Sequence, residues 1–163
     1  TMAVSHEKIY DYFFPFLKES GKKYRKTSLV KAKLAEPGQE VITKTSDGVE
    51  IKCKATKGDL LIENQTSTGE VYLMKGDKFE KRYQMKQALD KGWAVYQSNF
   101  PIEAIQLETK HLTDLGIDSE FEFETPWQDT MKALIGDFIV LSSDDSGFYR
   151  IAQKEFLETY KEV

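Results

Sequence analysis

The sequence predicts an α+β fold: an N-terminal helix, then two tandem duplicated units, each a small curved β-sheet or partial barrel with a closing C-terminal helix. Three observations carry that expectation. A spaced series, Tyr24, Ala32, Gly58, Asp59, Gly69, Tyr72, Phe79 and Tyr83, returns as Tyr96, Ala104, Gly136, Asp137, Gly147, Tyr149, Phe156 and Tyr160. Tyrosine to alanine is eight residues in both series, glycine to glycine eleven, tyrosine to phenylalanine seven and phenylalanine to tyrosine four. Self-similarity at fixed spacing marks an internal repeat. Short stretches also alternate polar and apolar residues with the period of a half-buried strand. Finally, each series ends on Phe and Tyr four apart, which share one face of a helix.

The elements follow in order. Ser5 is a suitable N-cap, and Ile9, Phe13, Phe16 and Leu17 fall at helical spacing. Gly21 can end this helix, while Pro15 removes a backbone donor and is expected to kink or divide it. The helix has no counterpart before the second series, so it reads as a lid over apolar surface. Its aromatic residues Tyr10, Tyr12, Phe13, Phe14 and Phe16 offer a second reading, a groove for a ligand or partner. Residues 49–55 alternate strictly, with Val49, Ile51, Cys53 and Ala55 on one face, which assigns Cys53 to a core. Residues 121–124 alternate likewise. After each Gly-Asp pair comes an apolar run, 60–62 or 138–141, then a polar loop ending in Gly and a second strand, 71–74 or 148–152. That order is a hairpin signature. The closing helices are expected at 77–89 and 154–161. The second copy has about six extra residues around 111–118, where Leu-Thr-Asp-Leu-Gly reads as a short helix and its stop.

The 163 residues therefore divide into a helix at 1–22, one unit at 23–92 and another at 93–163. Units of this size bury only about 60% of their unfolded surface and are marginal alone. They are expected to pack together as one globule, since the charged, helix-forming segment 84–93 is no flexible tether. A net charge of −4 argues against general nucleic-acid binding, which rests on neutralising phosphates. No apolar run approaches the ~18–20 residues of a transmembrane span. A single cysteine, Cys53, cannot form an internal disulfide, so a cytoplasmic, reducing setting is expected. Met2 reads as the natural start and Thr1 as an added residue.

For chemistry, the Gly-Asp pairs are the polar motif shared by both copies. Gly58 and Gly136 suit a turn with positive φ, and Asp59 and Asp137 suit side-chain-capped turns. A ligand-binding reading takes Asp59 and Asp137 together with Tyr72 and Tyr149 on the return strands. Residues 144–147 lack the spacing of a calcium loop and read as a turn. His6 and His111 have no Cys or His at metal-ligand spacing, so no metal site is expected. No cofactor fingerprint, phosphate loop or nucleophile elbow is present, so neither a cofactor nor a catalytic residue is assigned. His111 with Asp114 is the one pair that could act as a base, and the bland reading is an exposed loop histidine. Lys18, Lys22, Lys23, Arg25, Lys26, Lys31 and Lys33 crowd one stretch opposed only by Glu19. Within it Lys22, Lys23, Arg25 and Lys26 form a candidate anion site, with a solvated helix end as the alternative.

Residues 101–107, 131–140, 147–151 and 156–160 resemble the small uncharacterised PGDYG-type proteins, which are widespread in phages and bacteria. The usual pattern of that family is an Ile-x-Ala-x-Gln entry strand, a Pro-Gly-Asp-aromatic turn, a Gly-x-Tyr strand and a closing Phe-x-x-x-Tyr helix. The family proline is Ile135 in the second copy and Lys57 in the first, and the aromatic after Gly-Asp is Phe138 in one and Leu60 in the other. The resemblance implies a compact β-rich domain and brings no established activity. The expectation is a non-enzymatic binding or interaction module with a protein partner. The alternative is an enzyme acting on a nucleotide or other phosphorylated small molecule.

Overall fold

Ser5 accepts a hydrogen bond from the Lys8 N–H at 3.2 Å and opens the first helix, α1, His6–Ser20. The helix runs unbroken through Pro15, with Ile9, Phe13 and Leu17 buried on one stripe. Pro15 was expected to kink or divide the helix, and it does not divide it: burial on both sides of the proline keeps the helix continuous, each such side chain contributing about 1.5–3 kcal/mol. The computed structural model describes residues 3–126 and 129–163. Thr1 and Met2, on which the expected natural start falls, lie outside the described residues.

The described residues form a mixed α+β fold with four α-helices and fourteen strands in open sheets. After α1 come β1 (Lys22–Lys26), β2 (Val30–Leu34), β3 (Glu40–Lys44), β4 (Glu50–Lys54), β5 (Leu60–Asn64), β6 (Val71–Met74), α2 (Gly76–Arg82) and β7 (Tyr83–Ala88). Then follow a short 3₁₀ turn (Asp90–Gly92), β8 (Ala94–Ser98), β9 (Ile102–Gln106), α3 (Thr109–Leu115), β10 (Phe121–Glu124), β11 (Thr130–Ala133), β12 (Phe138–Leu141), β13 (Phe148–Ile151), α4 (Gln153–Thr159) and β14 (Tyr160–Glu162). The short helix α3 stops at Gly116, as its sequence predicts. The closing helices are shorter than expected. α2 ends at Arg82, and residues 83–88 form a strand instead, because their backbone pairs with β8 from Tyr83↔Ser98 to Ala88↔Ala94. Pairing of this kind overrides the weak helix preference of Gln, Met, Lys and Ala. In the same way α4 gives way to β14.

The chain divides into two compact units. Unit 1 holds the described residues up to Tyr24, with Ile102–Phe156 and Glu162–Val163. Its main sheet has the order β13-β12-β9-β1-β14, with β10 and β11 as a separate hairpin. Tyr24 lies opposite Ile102, Ala104 opposite Val140, and Val140 opposite Tyr149. Ile105, Ile139, Leu141 and Phe148 share one face of this sheet and are buried with Ile9, Phe13 and Leu17 of α1. On the other face Phe156 stacks on Phe138 at 3.7 Å and meets the edge of Tyr24 at 4.9 Å and 81°.

Unit 2 comprises Arg25–Pro101 and Leu157–Lys161. Its main sheet has the order β6-β5-β2-β8-β7, and β3 pairs with β4 apart from it. Tyr96 lies opposite Val30, Ala32 opposite Ile62, and Ile62 opposite Tyr72. Val30, Ala32 and Ile62 face Phe79 of α2, which meets Tyr96 at 4.7 Å and 81° and stacks on Tyr83 at 4.7 Å. On the opposite face Leu61, Val71 and Leu73 pack under Val41 and Ala55 of the β3–β4 hairpin. The Thr43 hydroxyl ties that hairpin down by donating to the Val71 carbonyl at 2.6 Å.

Candidate functional site

The two Gly-Asp turns are built alike. Gly58 and Gly136 have φ of 91° and 94°, a region that favours glycine. The Asp59 carboxylate accepts from the Thr56 N–H at 2.8 Å, and that of Asp137 accepts from the Leu134 N–H at 2.9 Å. The carboxylates differ in their cations. Asp137 is buried against the buried Arg150, whose Nε donates to it at 2.7 Å, and it also accepts from the Gln153 N–H at 3.1 Å. Asp59 is also buried, but its cation Lys75, at 3.2 Å, is exposed. Both aspartates thus brace a turn against the strand or helix that follows the hairpin.

Of the residues singled out for anion or ligand binding, Lys26 and Tyr72 come together. Lys26 is 4% exposed, and its Nζ donates to Asn64 Oδ1 at 2.7 Å and to the Tyr72 and Tyr83 hydroxyls at 3.4 Å. The rings of Tyr72, Tyr83 and Tyr160 stand 5.8–5.9 Å from the ammonium, within cation–π range. Asn64 passes the charge on by donating to Glu70 at 3.1 Å. Lys26 is therefore an interior cation satisfied by the protein. Lys22, Lys23 and Arg25 are exposed, and Lys22 pairs with Glu162 at 3.5 Å. Tyr149 is half-buried opposite Val140.

His111 is fully buried, which corrects the reading of an exposed loop histidine. Its Nδ1 accepts from the Glu108 N–H at 2.9 Å, so the neutral ring carries its proton on Nε2. The Phe16 ring packs edge-on to the imidazole at 5.2 Å, and Phe13 lies at 5.7 Å. Burial lowers the histidine pKa, with Glu108 and Asp114 opposing and Lys110 assisting. Asp114 is engaged elsewhere, accepting from the Tyr12 hydroxyl at 2.6 Å. Burial and that carboxylate push the Tyr12 phenol well above the ordinary tyrosine range, and burial raises Tyr24 as well. Cys53 is half-buried on β4. Among the described residues no group of three or more His, Cys, Asp or Glu is placed to hold a metal, and no helix is long and apolar enough to cross a membrane.

One surface was not singled out by sequence. Where the β3–β4 hairpin stops covering the unit 2 sheet, an open groove of about 700 Å³ remains over β2 and β8, bordered by the 3₁₀ turn. Register builds it. Lys31 lies opposite Val95 on β8, which puts Lys33 level with Trp93. The Lys33 ammonium stands 4.8 Å over the Trp93 ring. Trp93 lines the groove together with Lys31, Glu63, Ala88, Leu89, Asp90 and Lys91. Lys31, Lys33 and Lys91 form no ion pair among the described residues. A smaller open depression of about 400 Å³ lies between the β3–β4 turn and the β5–β6 loop. The sequence signal was present in the alternation of Val30, Lys31, Ala32 and Lys33, which sets two lysines on one strand face.

Compared with protein-family models, curated proteins and solved structures, the chain finds no match.

Proposed function

We propose that the chain is a non-enzymatic interaction module produced by internal duplication, and that its partner surface is the open groove over β2 and β8. The observation that carries this is the set around Trp93: Lys33 over its ring, Lys31 beside it on β2 and Lys91 on the 3₁₀ turn, none of them in an ion pair among the described residues. Tryptophan is among the residues most enriched as anchors of interfaces. The groups that could serve catalysis are engaged in the fold: Asp59 and Asp137 in turns, Lys26 among tyrosines, His111 under Phe16.

The duplication is supported by identical registers in the two main sheets. Tyr24↔Ile102, Ala104↔Val140 and Val140↔Tyr149 correspond to Tyr96↔Val30, Ala32↔Ile62 and Ile62↔Tyr72. On this reading the copies have exchanged their first strands, since β1 lies beside β9 and β8 beside β2. The Thr27 N–H to Thr159 carbonyl bond at 2.7 Å and the Asn99 N–H to Arg82 carbonyl bond at 2.9 Å also correspond. The resemblance to PGDYG-type proteins, with their single Gly-Asp turn, belongs to the same proposal, as does a cytoplasmic setting for the lone Cys53. The enzyme alternative draws on the same groove, where an indole and lysines could hold a nucleotide.

The test is a photo-crosslinking amino acid placed at Gln87, exposed on β7 and opposite Val95, or at Glu122, exposed on β10, in cells of the native host. A discrete protein adduct from position 87, absent from position 122 and lost in the K31E/K33E variant, is expected. Equal adducts at both positions, or a nucleotide bound and consumed by the purified protein, would replace the module with another function.

A further inference from the structure

In unit 1 the sheet face carrying Glu103 and Ile105 is covered by α1, and Lys18 of α1 pairs with Glu103 at 3.7 Å. By register, the residue before Ala104 corresponds to the residue before Ala32, so Lys31 takes the place of Glu103 and Lys33 that of Ile105. The same face of unit 2 carries the opposite charge at the position that a covering helix contacts. Building on the groove as the partner surface, we propose that its occupant is an amphipathic helix of another protein. That helix presents an acidic residue where α1 presents Lys18, with apolar residues toward Trp93, Val95 and Leu89.

Charge and shape favour this occupant over the alternatives. A second copy's α1 would set its Lys18 against Lys31, a like-charge contact. Among the charged lining residues, Ala88, Leu89 and Trp93 offer apolar contacts, which an amphipathic helix matches with a stripe at i, i+3 and i+4. The groove's charged groups nearly balance, Lys31 and Lys91 against Glu63 and Asp90, with Lys33 beside them over Trp93. A general polyanion therefore gains little, and the sign at Lys31 selects the partner.

The experiment uses the whole chain with Trp127→Phe, leaving Trp93 as the fluorescent reporter. Three synthetic 18-residue peptides are titrated: a helix with a Leu/Phe face flanked by Glu, the same helix flanked by Lys, and a scrambled version of the acidic one. The acidic helix is expected to bind about tenfold more tightly than the basic helix, the scale of turning one attractive charge contact into a repulsive one. K31E should invert that preference, and 0.5 M salt should shrink it. The proposal falls if the scrambled peptide binds as well as the helix, if K31E leaves the preference unchanged, or if no peptide binds. It falls also if sedimentation shows a dimer of the chain that K31E alters, which would make a second copy the occupant. Should the peptides fail while the host adduct at position 87 still depends on Lys31 and Lys33, the groove stands as the partner surface and only the acidic helix is lost.

Discussion

Unit 1 and unit 2 present sheets with the same strand registers, yet one face is closed in the first and open in the second. In unit 1, α1 lays Ile9, Phe13 and Leu17 across Ile105, Ile139 and Leu141. In unit 2 the β3–β4 hairpin covers Leu61, Val71 and Leu73, the half-buried Trp93 packs against the same cluster, and the strip beside it is left to lysines. The contrast separates two uses of one surface. Apolar residues there demand a cover from the chain, whereas Lys31 and Lys33 make the uncovered face soluble and leave it free for something else.

The largest expected effect comes from removing the cover. Phe13→Ala should cost about 3–5 kcal/mol, the scale for deleting a fully buried aromatic side chain, whereas Trp93→Ala should cost less than half as much. Urea unfolding of both variants checks the pair. Equal costs would make Trp93 a core residue and close the groove.

The ion pairs of the two Gly-Asp turns sharpen the comparison next. Asp137→Asn uncouples the buried Arg150 and should cost about 3 kcal/mol or more, as leaving a buried charge unpaired does. Asp59→Asn releases an exposed lysine and keeps an acceptor for Thr56, for about 1 kcal/mol. Similar losses in the two variants would show that exposure of the cation does not set the difference.

A smaller effect is confined to unit 1. Burial depresses the His111 pKa, so the unfolded chain binds a proton more readily than the folded one. Stability from this residue is therefore full above the unfolded value of about 6.5 and declines as pH falls below it toward the folded value. The urea midpoint should drop between pH 7.5 and 5.5, and His111→Asn, which retains a side-chain acceptor, should flatten that drop. An unchanged drop in the variant would assign it to other groups.

Much of the fold is legible in the residues themselves. Ser5 and the Ile9, Phe13 and Leu17 stripe announce α1, Phe121 and Phe123 alternate as β10 does, and Gly116 marks the end of α3. β7 is not legible, because residues 84–88 favour helix locally and only pairing with β8, across the short turn that follows, makes them a strand. Nor is the role of Lys26, which reads like its solvated neighbours until Asn64, Tyr72 and Tyr83 close around it. The groove stayed hidden for a related reason: Lys33 and Trp93 meet only through the pairing of β2 with β8.

The openness and sign of that groove can be measured directly by quenching Trp93 fluorescence in the Trp127→Phe chain with iodide and with caesium at equal ionic strength. Iodide should quench more efficiently, because the Lys33 ammonium 4.8 Å over the half-buried indole favours an anion at that ring even where the groove as a whole is nearly balanced in charge. The excess should vanish in K31E/K33E. Equal quenching by the two ions, or protection from both, would contradict an open, lysine-lined face on unit 2.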